Sequence, residues 1–406
     1  MVGVSMFDMR RSPRLTMLVV AAVILTGCAG STASSSRSSS AAAASQTGSG
    51  PGTGSAPGST SGADPLTALP RMTVPRATQT ATKLDDGRIL IVGGFGTDTD
   101  GDPGSTEFFD PTSRRFEAGP RLTSPRYGHS ATRLADGRVL IAGGFGPSGK
   151  VLNSAEIFDP TADTFTATGR LGVARADHEA VLLDDGRVLL IGGTADDFEV
   201  LASSELFDPH TGAFSPAGPM AVAREGMTAT RLQNGRVLVI GGHIGRHEQR
   251  TIYASTEMYD PLTDRFTPGG SMTTARHKHD AVLLADGRVL VIAGSDARDD
   301  LGLFDSAETY DPASGGFSAV GRLDHPRYKF RSASVVLPDG RVLVAGGAAV
   351  PELFDPGANR FTSIDGSLGR APYFATATLL DDGFVLLTGG YSDRGPASAD
   401  GWLIRP

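Results

Sequence analysis

One cysteine stands in the whole 406-residue chain, so no internal disulfide forms and no cysteine-based zinc site can be assembled. Lysine is nearly missing too: Lys83, Lys150, Lys278 and Lys329 are the only ones, which leaves cationic contacts to guanidinium groups suited to paired carboxylates. There is no excess of positive charge. A net charge of −8 argues against a phosphate-backbone partner, and nucleic acid is set aside as a ligand. Nor is there a long hydrophobic run: the most apolar stretch, residues 15–25, is too short to span a bilayer comfortably. What the chain does have is 53 glycines and 25 prolines, most at fixed spacing, which reads as many short strands joined by tight turns rather than as disorder.

The apolar run follows Arg10, Arg11 and Arg14 and ends in Leu25-Thr26-Gly27-Cys28. A basic start, a short apolar core and small residues at its end make an export signal. The last four residues resemble the lipobox of bacterial lipoproteins. The resemblance implies cleavage before Cys28 and attachment of lipid to its sulfur, each buried methylene adding about 0.8 kcal/mol of membrane affinity. Residues 1–27 are then a signal peptide. Residues 28–63 are the lipidated cysteine followed by a tether of Ser, Ala, Gly, Thr and Pro that cannot bury enough surface to fold. The expected location is the cell envelope, lipid-anchored and facing outside the cytoplasm.

From residue 64 onward one unit recurs. Asp-Gly or Asn-Gly turns place glycine at 87, 137, 186, 235, 287, 340 and 383, a period near 50 residues. In the second copy two apolar strands flank Asp136-Gly137, and the dipeptide predicts a two-residue type I′ turn with both central residues at positive φ. A third strand ends at Phe158-Asp159-Pro160, and Thr164-Phe165-Thr166 forms a short outer strand. Four strands make one blade.

The double glycine closing the second strand, the Tyr/Phe-Asp-Pro on the third and the aromatic on the fourth resemble the kelch family, with Phe116, Phe165, Phe214, Phe266, Phe317 and Phe361 in place of its usual Trp. The resemblance covers residues 64–406 and implies an all-β, seven-bladed β-propeller of four-stranded kelch-type blades. The seventh copy is degenerate, with Trp402 expected in the aromatic slot. The fifth has Ala293-Gly294 for the double glycine and is expected to be locally distorted. Leu66-Thr67-Ala68 precedes the first inner strand as outer strands do elsewhere, so the N-terminal segment is expected to complete the last blade and remove an open edge.

Arginine recurs eleven residues before the turn glycine at Arg76, Arg126, Arg175, Arg224 and Arg276, and thirteen before it at Arg327 and Arg370; acids recur on the third strand at Glu107, Glu156, Glu205, Glu257, Glu308, Glu352 and Asp400. Two roles suit such a series: buried ion pairs that lock the blades, or a ligand-binding ring at one channel mouth, as in kelch adaptors that capture acidic peptides. Specificity is expected where the copies differ, in the loops after the double glycine. The fourth holds a basic cluster, His243, Arg246, His247 and Arg250; the first holds Asp98, Asp100 and Asp102, spaced as in calcium loops but without the later bidentate Glu. No other cofactor is expected. His277 and His279 add a weak metal motif.

A rigid ring with variable loops on one face suits a binding module for a glycan or an envelope protein, with the chain a monomer. The alternatives are a non-copper sugar mutarotase or epimerase using groups such as His129, His178, Glu225 and Asp177, or a structural envelope scaffold. Similarity to the galactose oxidases raises a copper radical site, but such a site needs a Tyr crosslinked to Cys, and Cys28 is the lipid anchor. No catalytic residue is assigned.

Overall fold

A computed structural model describes residues 64–96, 101–246, 249–393 and 395–406. They form seven four-stranded antiparallel sheets. The first blade runs outward through Thr80–Lys83, Ile89–Val92, Thr106–Asp110 and Arg115–Ala118. The other innermost strands are Ser130–Arg133, Glu179–Leu182, Thr228–Arg231, Asp280–Leu283, Ser334–Val336 and Thr376–Leu379, and each neighbours the next around a closed circle. The seventh blade ends on Leu66–Ala68, paired with Gly401–Ile404 through Leu66↔Ile404 and Thr67↔Leu403, so the N-terminal strand does complete the ring.

The core is divided among the seven gaps between blades. Each second strand is apolar on both faces because each face meets a different blade. Leu90 and Val92 pack with Val139, Ile141 and Phe158 of blade two, while Ile89 and Ile91 pack with Leu380, Leu386 and Leu403 of blade seven. The third-strand aromatic lies against the fourth-strand phenylalanine, as in Phe158–Phe165 at 5.0 Å and Phe207–Phe214 at 4.8 Å between ring centres.

Three expectations are corrected. The turn is a three-residue loop: Leu84 N donates to Arg88 O and Gly87 N to Leu84 O, only Gly87 has positive φ, and Asp86 caps the amide of Arg88. This is a type I turn closed by a left-handed glycine, which needs one positive φ where type I′ needs two. The fifth blade is not distorted: Ala293 adopts φ 52° and keeps its bond to Ser306 O at 3.0 Å, matching Gly143 to Ser154 O at 3.1 Å. Trp402 is not in the aromatic slot. It pairs with Leu387, the register of the third-strand acid, and Ile404, opposite Leu66, holds the slot within the apolar core.

The double glycine joins neighbours. Gly94 N donates to Arg126 O of the next blade at 3.1 Å, and the pattern continues to Gly390 N on Arg76 O at 2.9 Å. A Cβ on Gly93 would stand 2.4 Å from Arg126 O, so glycine fits the approach without adjustment, although blade five makes the same link, Gly294 N on Arg327 O at 2.9 Å, with Ala293 in that slot.

Candidate ligand site at the channel mouth

The seven arginine–acid pairs form as spaced. Arg76–Glu107, Arg126–Glu156, Arg175–Glu205, Arg224–Glu257, Arg276–Glu308 and Arg327–Glu352 are buried, with Nη2–Oε1 distances of 2.5–3.1 Å. Each carboxylate also accepts the amides entering its blade, as Glu156 does from Thr123 at 2.9 Å and Ser124 at 3.0 Å. Burial pulls the guanidinium pKa of Arg126 below its ordinary value, with Glu156 opposing. Arg76, Arg126, Arg175, Arg224 and Arg276 are at most 1% exposed, so this structure places them inside the blades and gives a ligand no access to them. Arg370–Asp400 is the exception: both stand two residues upstream of the usual register and stay partly exposed, with Pro372 taking the arginine's backbone position by accepting from Gly347 N.

Two residues after each of these backbone positions the chain turns left-handed. Thr78, Gly128, Asp177, Gly226, Lys278, Lys329 and Phe374 have φ between 51 and 63°. Their backbones bond to one another in six successive links, from Lys278 N on Gly226 O at 2.8 Å round to Asp177 N on Gly128 O at 2.8 Å. A left-handed turn costs a non-glycine residue about 1–2 kcal/mol; here it directs N–H to one blade and C=O to the other. Five of the seven are not glycine, so their side chains gather at the neck of the channel.

Below the neck is a cavity of about 180 Å³ lined by residues such as Thr80, Ser130, Glu179, Arg331 and Thr376. Arg331 bonds Glu179 at 2.9 Å across it, from blade six to blade three. The two extra residues between Arg327 and its turn make this possible, because Ser332 takes a second left-handed turn at φ 64°. Asp177 borders the same cavity with its Oδ1 above Gly128, where a Cβ would approach to 2.8 Å. Burial pushes its carboxyl up to about 6, against the pull of Arg331.

Above the neck the mouth has two unlike halves. One is aromatic: Phe145, Tyr127, Phe95, Tyr391, Tyr373 and Tyr328 follow one another with ring centres 5.1–6.2 Å apart, Phe145 stacked on Tyr127 and the rest T-shaped or tilted, and Phe374 is stacked on Tyr391 at 6.1 Å. Phe95, Tyr127, Phe374 and Tyr391 keep part of their surface open. The other half is polar. Glu225 receives His243 Nε2 at 2.9 Å, Arg246 Nη2 at 3.3 Å and the Thr194 hydroxyl. Although burial pushes the Glu225 carboxyl up, these partners hold it at about 2. His243 meets His277 Nδ1 to Nδ1 at 3.1 Å, and Asp299 receives His277 Nε2 at 3.2 Å, Lys278 at 2.6 Å and Arg250 at 2.6 Å. Burial brings Lys278 down to about 8.

The structure therefore brings His243, Arg246 and Arg250 together, each joined to an acid rather than forming a basic patch. His247 lies outside the described residues, as do Cys28, Asp98 and Asp100. Asp102 is bound by Arg121 and caps Gly104. His129, His178 and His279 are wedges between blades, with Nε2 2.9–3.0 Å from Thr80, Ser130 and Thr228 of the preceding strand. Burial keeps them neutral, His129 falling to about 3. Sequence reasoning missed Lys278, Lys329, Asp299 and the aromatic half. Aligning the copies column by column would have pointed to the two lysines and the aromatic half, since the neck column reads Thr, Gly, Asp, Gly, Lys, Lys and Phe, and the column before it holds Tyr127, Tyr328 and Tyr373.

The kelch motif model matches residues 125–170 and 228–273, blades two and four. Among solved structures, a fungal alcohol oxidase, described as a novel enzyme with catalytic diversity among the AA5 family in complex with copper, matches with a TM-score of 0.63 and 18% identity over 84% of this chain and 76% of that one. Comparison with curated proteins gave no match. The fold is a kelch-repeat propeller, and the oxidase shares that fold. Its copper does not fit here: among the described residues no three His, Cys, Asp or Glu side chains are placed to hold a metal, and the two mouth histidines bond each other and two carboxylates.

Proposed function

We propose that the chain is a lipid-anchored module of the cell envelope that binds a glycan at the mouth of its propeller. The kelch propeller supports a binding or scaffold role. The observation that carries the ligand class is the division of the mouth: partly open aromatic faces on one side, hydrogen-bonding charged groups on the other. A pyranose has the same two characters, with C–H faces that stack on aromatic rings and an equator of hydroxyls. The groups facing such a ligand are held by the neck ring and by ion pairs, so little ordering opposes binding.

Titration of the full chain on a glycan array tests this. Tyr391→Ala and Phe374→Ala are expected to weaken binding at least tenfold without lowering the melting temperature by more than a few degrees. A wild-type protein that stays folded and binds no glycan refutes the reading. Globomycin-sensitive processing, lost in Cys28→Ser, tests the anchor.

A further inference from the structure

We propose that the ligand is an acidic sugar whose carboxylate binds the ammonium of Lys329. This rests on the glycan reading and names the class of sugar. Lys329 is the sixth residue of the neck ring and is 9% exposed. Its ammonium donates to Tyr391 Oη at 2.9 Å and lies over the rings of Tyr328, Tyr391 and Tyr373 at 4.8, 5.5 and 5.8 Å.

An ammonium has three N–H donors. Among the described residues no carboxylate lies within hydrogen-bonding distance of this one, whereas the other cations of the mouth and channel are matched: Lys278 and Arg250 to Asp299, Arg246 to Glu225, Arg331 to Glu179. Asp299, Asp300 and Asp393 act on it only through space; a buried charge without a directly bonded counter-ion is unfavourable, and the tyrosine rings compensate it only in part. A ligand carboxylate would complete it with a charge-assisted bond.

The seat of that carboxylate lies in the aromatic half, beside the open faces of Phe374 and Tyr391. A carboxylate there belongs to a ring stacked on those faces. Three ring positions away stands Asp177, whose carboxylate accepts no hydrogen bond from the described residues and borders the channel. It would repel a second anion and accept a hydroxyl. One carboxylate and several hydroxyls on a stacking ring describe a hexuronate. An acidic peptide would bring repeated negative charge toward Asp177 and Glu225.

The test is calorimetric titration of the full chain with trisaccharides of galacturonate, glucuronate and mannuronate, each as the free acid and as the methyl ester, beside neutral trisaccharides and a glutamate hexapeptide. At least one free acid is expected to bind about 10- to 100-fold more tightly than its ester, the range of a hydrogen bond to a charged group. Lys329→Met should remove the preference for the acid over its ester. The ester comparison needs no variant, so it stands even if Lys329→Met misfolds. Equal affinity for acid and ester, or neutral sugars bound in preference, overturns the carboxylate assignment and leaves the glycan reading intact. Binding of the peptide above every sugar overturns both, as does binding of none.

Discussion

Glu156→Gln changes one atom in one of the buried locks and has a calculable effect. The carboxylate accepts from Arg126 Nη2 at 3.0 Å, Ser124 N at 3.0 Å and Thr123 N at 2.9 Å. A carboxamide turns one oxygen into a donor, which must face one of those N–H groups, and it removes the only formal counter-charge of a guanidinium with no exposed surface. Breaking a buried pair from one side costs about 3–5 kcal/mol. The same change at Glu205 or Glu308, whose pairs have the same geometry at 2.9 Å, should give a similar loss. Asp400→Asn is the internal control: its side chain is 38% and that of Arg370 31% exposed, so about 0–1 kcal/mol is expected. Urea unfolding of the four variants measures all of this. The double variant Arg126→Met with Glu156→Leu should recover much of the single loss, since removing both charges relieves the unpaired one. A Glu156→Gln loss below about 1 kcal/mol, or one no larger than that of Asp400→Asn, would show that the pairs are not what holds the blade entrances.

Leu66→Asp places a charge in the cluster that closes blades six and seven, and is expected to lower the melting temperature by many degrees, an unchanged melt refuting velcro closure by the N-terminal strand. Ala293→Gly relieves a left-handed alanine and should raise stability by about 0.5–1 kcal/mol in the same urea assay, once glycine's greater unfolded-chain entropy is set against the strain. The Glu225 carboxyl is held at about 2, below its ordinary 4.5, so its contribution is fully present above pH 4.5 and lost as pH falls toward 2. Melting curves of Glu225→Gln between pH 6 and 2.5 should therefore show a shallower acid slope than the wild type, and parallel slopes would contradict the assigned network.

Much of the fold was legible because a propeller repeats local chemistry. The turn glycines counted the blades, the apolar second strands marked strands buried on both sides, and the arginine and acid series predicted all seven pairs, including the two with altered spacing. Even the ring closure followed from an outer strand that had no blade before it. These are features that each unit must satisfy for itself, so each copy states them again.

The binding site was not legible in that way. Lys329 and Tyr391 are bonded although 62 residues apart, and Arg331 meets Glu179 over a separation of 152 residues. Within its own copy each is a departure from the repeat without evident meaning. The turn type also escaped, because Asp-Gly permits two backbone solutions and only the strand register selects one. Sequence by itself determined the blade, its number and its internal locks, since these depend on neighbours within one unit. Tertiary structure alone decided the mouth, because circular closure brings the same position of seven different copies to one axis, and what those seven side chains do together is written in none of them singly.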